Sequence, residues 1–141
     1  MLTAEENEML TRVGPGTPVG ELLRRYWHPV AIAKEISDEN PVKFVRILGE
    51  DLALFRDKKG GVGLLADRCS HRGASLSYGR VEERGIACPY HGWLYTPMAI
   101  AWRRRRSPPA ATSRAPSSTR PIRRKSSPAS IGAISARRPL R

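Results

Sequence analysis

Apolar side chains change their spacing twice along this chain, and each change marks a boundary. Leu22, Leu23, Tyr26 and Trp27 recur at helical spacing. Thr17-Pro18 prepares the start of that helix: Thr17 can cap the first turn, and Pro18 stands where a missing N–H costs nothing. Pro29 is expected to end it, because the residue before a proline is pushed out of the helical region. An earlier short helix is expected over roughly Thr3–Thr11. From Pro41 the period shortens. Val42–Leu48, Leu52–Arg56 and Val62–Ala66 read as strands, separated by the turn signals Gly49-Glu50-Asp51 and Asp57-Lys58-Lys59-Gly60-Gly61. Three short strands on tight turns predict an antiparallel meander. Two more are predicted at Gly85–Ala87 and Trp93–Tyr95, with Cys69–Gly79 as loop between the meander and the first of these. The expected fold is a small, mainly β, antiparallel sandwich behind an N-terminal helical extension.

After Tyr95 periodicity stops. Residues 96–141 contain seven Pro, eight Ser, the single aromatic Trp102 and the run Arg103–Arg106. Such a stretch buries too little apolar surface to offset the entropy of ordering it, so a disordered tail is expected. Charge divides at the same point. Residues 1–95 carry 13 basic and 13 acidic side chains, whereas 96–141 carry twelve basic ones and no Asp or Glu. The net +12 therefore belongs to the tail. Arg103–Arg106 and Arg123-Arg124-Lys125 suit phosphates, but nothing aromatic is interleaved for base stacking, and nucleic acid is not an expected partner. The acidic start (Glu5, Glu6, Glu8) does not look like a signal peptide, and no apolar run approaches the ~20 residues of a membrane span. Two cysteines cannot build the multi-bridge framework of a small secreted domain. A cytoplasmic protein with no membrane partner is expected.

The chemistry lies in Cys69-Ser70-His71, then sixteen residues, then Cys88-Pro89-Tyr90-His91-Gly92-Trp93. Each half offers one thiolate and one imidazole. A [2Fe–2S] cluster can use that set asymmetrically, with both cysteines on one iron and both histidines on the other; neutral imidazoles in place of thiolates raise the reduction potential. Imidazoles reach further than thiolates, so the histidine-bound iron would be the outer one. Gly73 and Gly92 suit tight loops whose N–H groups can approach sulfur. Two other uses of these residues stand beside this one. Two Cys and two His could hold zinc tetrahedrally, although structural zinc usually takes its cysteines as a close pair. A Cys69–Cys88 disulfide would leave both histidines idle. His28, between Trp27 and Pro29, reads as structural.

Cys-Ser-His-Arg-Gly-Ala-Ser-Leu at 69–76 and Cys-Pro-Tyr-His-Gly-Trp at 88–93 resemble the Rieske [2Fe–2S] domain in both motif halves and in spacing. Val13-Gly14-Pro15-Gly16-Thr17-Pro18 and Tyr26-Trp27-His28-Pro29-Val30 resemble the start of the oxygenase (alpha) subunit of phthalate-type aromatic-ring-hydroxylating dioxygenases. The resemblance covers about residues 1–95 and divides the chain into a helical extension (1–28), a Rieske domain (29–95) and a tail (96–141). It implies that Cys69 and Cys88 bind one iron and His71 and His91 the other. It also implies an electron-donating reductase or ferredoxin and assembly into a homo-oligomer, usually a trimer. Respiratory Rieske proteins carry an additional cysteine pair that this chain lacks. A standalone Rieske ferredoxin would begin near its first strand, whereas about forty residues precede it here.

The resemblance implies a mononuclear catalytic iron as well, held by two His and one carboxylate in a separate domain. This sequence has no His after His91 and no Asp or Glu after Glu83, so that site cannot be assembled downstream. Codon regrouping suggests why. One base restored before the Thr96 codon lets Thr96-Pro97-Met98-Ala99 read Asp-Ala-Asp-Gly, with the glycine forced, as the family shows after Gly92-Trp93-Leu94-Tyr95. Residues 96–141 then read as an out-of-frame translation, and the strand expected to close the sheet after Tyr95 would be lost.

Overall fold

The computed structural model describes residues 1–98 in full, together with the backbone of short strands at 101–102, 123–126 and 133–137. Two helices open the chain, α1 (Ala4–Thr11) and α2 (Pro18–Leu23). Thr3 caps α1 reciprocally: its hydroxyl accepts from the Glu6 N–H while the Glu6 carboxylate accepts from the Thr3 N–H. Thr17 caps α2 by accepting from the Gly20 N–H at 3.2 Å, and Pro18 fills the first helical position, as the sequence predicts.

α2 ends at Leu23, earlier than Pro29 would enforce, and Tyr26 and Trp27 lie beyond it, exposed. Arg24 gives the reason. Its buried guanidinium donates to the carbonyls of Val13 and Leu48 (3.0 and 2.7 Å) and to the Glu50 carboxylate (3.0 Å), which draws the chain away from the helix axis. His28 then donates through its Nε2–H to the Leu23 carbonyl at 2.7 Å, a structural contact at a helix end. It opens a strand missed by the sequence reading, β1 (His28–Ile32).

The meander is present: β2 (Val42–Ile47), β3 (Glu50–Arg56) and β4 (Val62–Ala66) pair antiparallel in that order. The β2–β3 turn is Leu48-Gly49 rather than Gly49-Glu50-Asp51, because Ile47 pairs with Glu50. Both turn residues have positive φ (49° and 73°), the hairpin geometry that matches strand twist. β3 is the central strand and is buried on both faces. Ala53 and Phe55 point into one core with Leu65, Leu76, Ile86, Tyr95 and both cysteines. Leu52 and Leu54 point into another with Ala31, Ile36, Val45 and Leu64. Gly63 pairs with Phe55, whose ring fills the space a Cβ would need (2.4 Å to Cζ).

A second sheet runs β5 (Arg80–Glu82), β6 (Gly85–Ala87), β7 (Leu94–Tyr95) and β8 (Ala101–Trp102). Gly85 is required there, since a Cβ would stand 2.0 Å from the Tyr95 carbonyl oxygen. β9 (Arg123–Ser126) pairs with β10 (Ala133–Arg137), which pairs with β1. Residues 96–98 and the short strands β8, β9 and β10 are the parts of the tail that are described, and β8 follows Tyr95 on the edge of the second sheet. Strands such as β1 and β7 present unpaired N–H and C=O groups to any chain that follows. The other tail residues, 99–100, 103–122, 127–132 and 138–141, on which the expectation of disorder falls, lie outside the described residues. Among the described residues no helix is long and apolar enough to cross a membrane.

Candidate metal centre

Both halves of the motif are reverse turns with the same backbone frame. The loop between β4 and β5 folds back at Cys69: its N–H donates to the Ala74 carbonyl (2.8 Å) and its carbonyl accepts from the Gly73 N–H (2.8 Å). The loop between β6 and β7 repeats this, with Cys88 N–H on the Trp93 carbonyl (2.8 Å) and Gly92 N–H on the Cys88 carbonyl (3.0 Å). Each frame is closed by a glycine of positive φ, 71° at Gly73 and 68° at Gly92. Only glycine takes that conformation freely, so the two glycines allow the turns to be this tight.

The frames carry sulfur inward and nitrogen outward. Cys69 and Cys88 are both free thiols, 3% and 4% exposed, in the core beside Ile86 and Tyr95. His71 and His91 are exposed, their ring centroids 4.7 Å apart. Sequence reasoning selected all four, and the structure brings them together as a buried sulfur pair beneath an exposed imidazole pair. Among the described residues no three of His, Cys, Asp or Glu converge on one point as a single ion requires.

Hydrogen-bond donors surround the sulfurs. The N–H groups of Tyr90 and His91 reach the Cys88 sulfur and pull its thiol down, but burial and the neighbouring Cys69 outweigh them and its pKa is raised. The Tyr95 hydroxyl lies 3.1 Å from Cys69 Sγ and accepts from the Ser70 N–H at 3.1 Å. Burial first, and then the contact with Cys69, push Tyr95 up to about 12, so at neutral pH it stays a proton donor. One further group holds the first loop shut. Asp67, 3% exposed, accepts through Oδ1 from Ser75 Oγ (2.9 Å), Ser77 N (3.0 Å) and Ser77 Oγ (2.5 Å). Sequence reasoning missed Asp67 and Tyr95. The Asp67…Ser75/Ser77 spacing was a signal, since a carboxylate followed by hydroxyls invites loop bridging; the Tyr95–Cys69 contact spans 26 residues and left no local trace.

This donor set suits a two-iron, two-sulfide cluster with a different ligand pair on each iron: soft thiolates in the dry interior, neutral imidazoles at the wet edge, N–H and O–H donors aimed at sulfur. Comparison with known proteins gives the same class. The family model for the Rieske [2Fe–2S] domain matches residues 26–112, and the chain belongs to that family. Its relatives are oxygenase subunits. It is 62% identical over 86 residues to the phenoxybenzoate dioxygenase subunit alpha of Ectopseudomonas oleovorans, covering 61% of this chain and 20% of that protein. It is 50% identical over 95 residues to the phthalate 4,5-dioxygenase oxygenase subunit of Pseudomonas putida, covering 66% and 21% respectively. Among solved structures, NdmA of Pseudomonas putida CBB5 with caffeine superposes at a TM-score of 0.68 with 27% identity, over 83% of this chain and 34% of that one. The chain thus spans about a fifth of the length of the curated relatives it matches.

Proposed function

We propose that Cys69 and Cys88 hold the inner iron and His71 and His91 the outer iron of a [2Fe–2S] cluster, and that the chain is the electron-accepting part of a phthalate-type ring-hydroxylating oxygenase subunit. The observation that carries this reading is the stacking of a buried sulfur pair beneath an exposed imidazole pair on two matched turns. Bound there, such a cluster takes up and passes on one electron at a time. The protein's own share is electrostatic. Tyr95 O–H and the N–H groups of Tyr90 and His91 point at the sulfurs, and such donors lower the cost of extra negative charge there. Core residues keep water from the thiolates, while His71 and His91 stay open to a partner.

The mononuclear iron belongs, on this reading, to residues outside these 141, and the electron donor is a reductase or ferredoxin. Relatives named for phenoxybenzoate and phthalate support an aromatic acid or ether as substrate; assembly into a homo-oligomer, usually a trimer, is what the family resemblance of residues 1–95 implies. The two free thiols fit a cytoplasmic setting. Residues 29–95 form the cluster domain behind the helical extension 1–28. Residues 96–141 are an out-of-frame translation, supported by the Asp-Ala-Asp-Gly regrouping and the Arg, Pro and Ser excess. Strands there pair through backbone groups that every sequence carries, which is compatible with any frame. Genomic sequence across codon 96 tests this point; an uninterrupted in-frame run in independent reads overturns it.

The ligand reading is tested by loading the full chain anaerobically with iron and sulfide. Equal iron and sulfide, a reddish-brown colour and the reduced-state paramagnetic signal of mixed ligation are expected. His71→Ala and His91→Ala should each abolish that signal. A colourless chain saturated by zinc, without sulfide, overturns the reading.

A further inference from the structure

Four rings run in series across the exposed end of the site. Trp93 lies 5.0 Å from His71 with their planes within 7°; His71 meets His91 edge-on at 4.7 Å and 65°; Tyr90 tilts against His91 at 3.9 Å. The outer members are anchored differently. Tyr90 is 62% exposed and touches its own neighbour in sequence. Trp93 is half-buried against the core of Phe55, Ile86 and Tyr95, and its carbonyl accepts from the Cys88 N–H. It belongs to the second loop yet stacks on the histidine of the first.

An imidazole's plane is set by rotation about χ2, a broad torsion with little preference of its own. His71 stands exposed on a turn, and its ring meets two others, His91 edge-on and Trp93 face to face. Of those two rings the indole is the one packed against the core and parallel to the imidazole. We propose that Trp93 is a positioning residue: it fixes the plane of His71 across the two loops, so that the turn presenting Cys88 also aims the nitrogen ligand of the opposite turn. This rests on the ligand reading above. Plane orientation governs how the ring's π electrons overlap with the iron it binds, so the effect is read in the spectrum of the cluster and not only in electron transfer.

The test uses the full chain loaded with iron and sulfide, compared as wild type, Trp93→Leu, Trp93→Phe and Tyr90→Leu. Iron and sulfide content tests the ligand reading by itself: a wild-type chain without sulfide removes that reading whatever Trp93 does. With the cluster present, Trp93→Leu should retain iron and sulfide, shift the principal g-values and change the nitrogen hyperfine coupling of one histidine. Trp93→Phe, which keeps a flat ring, should return both toward wild type, and Tyr90→Leu should leave them unmoved. Unchanged g-values and couplings in Trp93→Leu overturn the proposal, as does an equal change in Tyr90→Leu. Should Trp93→Leu fail to hold a cluster, Trp93→Phe decides: a wild-type spectrum supports the positioning role, and loss of the cluster there too reduces Trp93 to core packing and overturns it.

Discussion

The two loops share one backbone frame and differ in how the rest of the protein braces it. In both, cysteine begins a turn closed four residues later by a glycine of positive φ, and the cysteine N–H reaches a carbonyl five residues on. Histidine occupies the second position after Cys69 but the third after Cys88. That single-residue offset lets equivalent turns present two imidazoles side by side without superimposing them. The second loop is short and flanked directly by paired strands, Ala87 with Leu94 and Ile86 with Tyr95. The first has a longer return to its next strand, and Asp67 ties that return down. Strand pairing thus does in one loop what a buried carboxylate does in the other.

The contrast can be broken most sharply at Asp67. Asp67→Ala removes a charged acceptor from two hydroxyls and one N–H, and a hydrogen bond to a charged group contributes about 1.5–3 kcal/mol. A loss of roughly 3 kcal/mol in urea unfolding is expected, with hydrogen exchange accelerating in 68–79 and not in 88–93. Equal acceleration in both loops would refute independent bracing. Next come the glycines. Neither Gly73 nor Gly92 has an atom within 4 Å of an added Cβ, so alanine meets only the left-handed backbone penalty. Gly73→Ala and Gly92→Ala should each cost about 1–2 kcal/mol, and near-equality is the test that the frames are equivalent. Tyr95→Phe should cost about 1 kcal/mol and lower the cluster's reduction potential, since a donor to Cys69 is lost while those to Cys88 remain.

Surface carboxylates set the floor. The Lys43 ammonium beside Glu35, and the Arg46 guanidinium beside Asp51, hold those carboxyls below their ordinary values. A lowered carboxylate stabilises the fold above its unfolded pKa and loses that contribution as pH falls through the folded value. Both pairs are exposed and screened by salt. Acidification from neutral to below about pH 4 should therefore reduce the urea midpoint only slightly, and less at high salt.

Much of this was legible in the sequence, for identifiable reasons. The four ligand candidates stood out because two Cys/His pairs with nearby glycines have few other uses. Thr17-Pro18 and the short apolar run Leu52 to Phe55 between two turn signals announced their elements through local chemistry that the fold left intact. β1 was hidden because Pro29 reads as a helix stop and His28–Ile32 is too short to show a period. The hairpin turn was displaced because leucine is a poor signal for positive φ, and Leu48 adopts it where register demands. Tyr95 looked like an ordinary core residue; its hydroxyl matters only through a partner that the topology supplies. The tail strands were invisible because their pairing draws on backbone groups, about which composition is silent.

Arg24 bears on where this protein can be cut. A polypeptide trimmed to begin at Pro29 would keep every motif residue and still lose the guanidinium that spans Val13, Leu48 and Glu50. Gly49 also lies close to Gly14, with a hypothetical Cβ only 3.1 Å from the Gly14 Cα. The leading helices and the first hairpin should therefore melt together as a single cooperative unit, and an excised version lacking residues 1–28 would be frayed at the Leu48-Gly49 end of the hairpin.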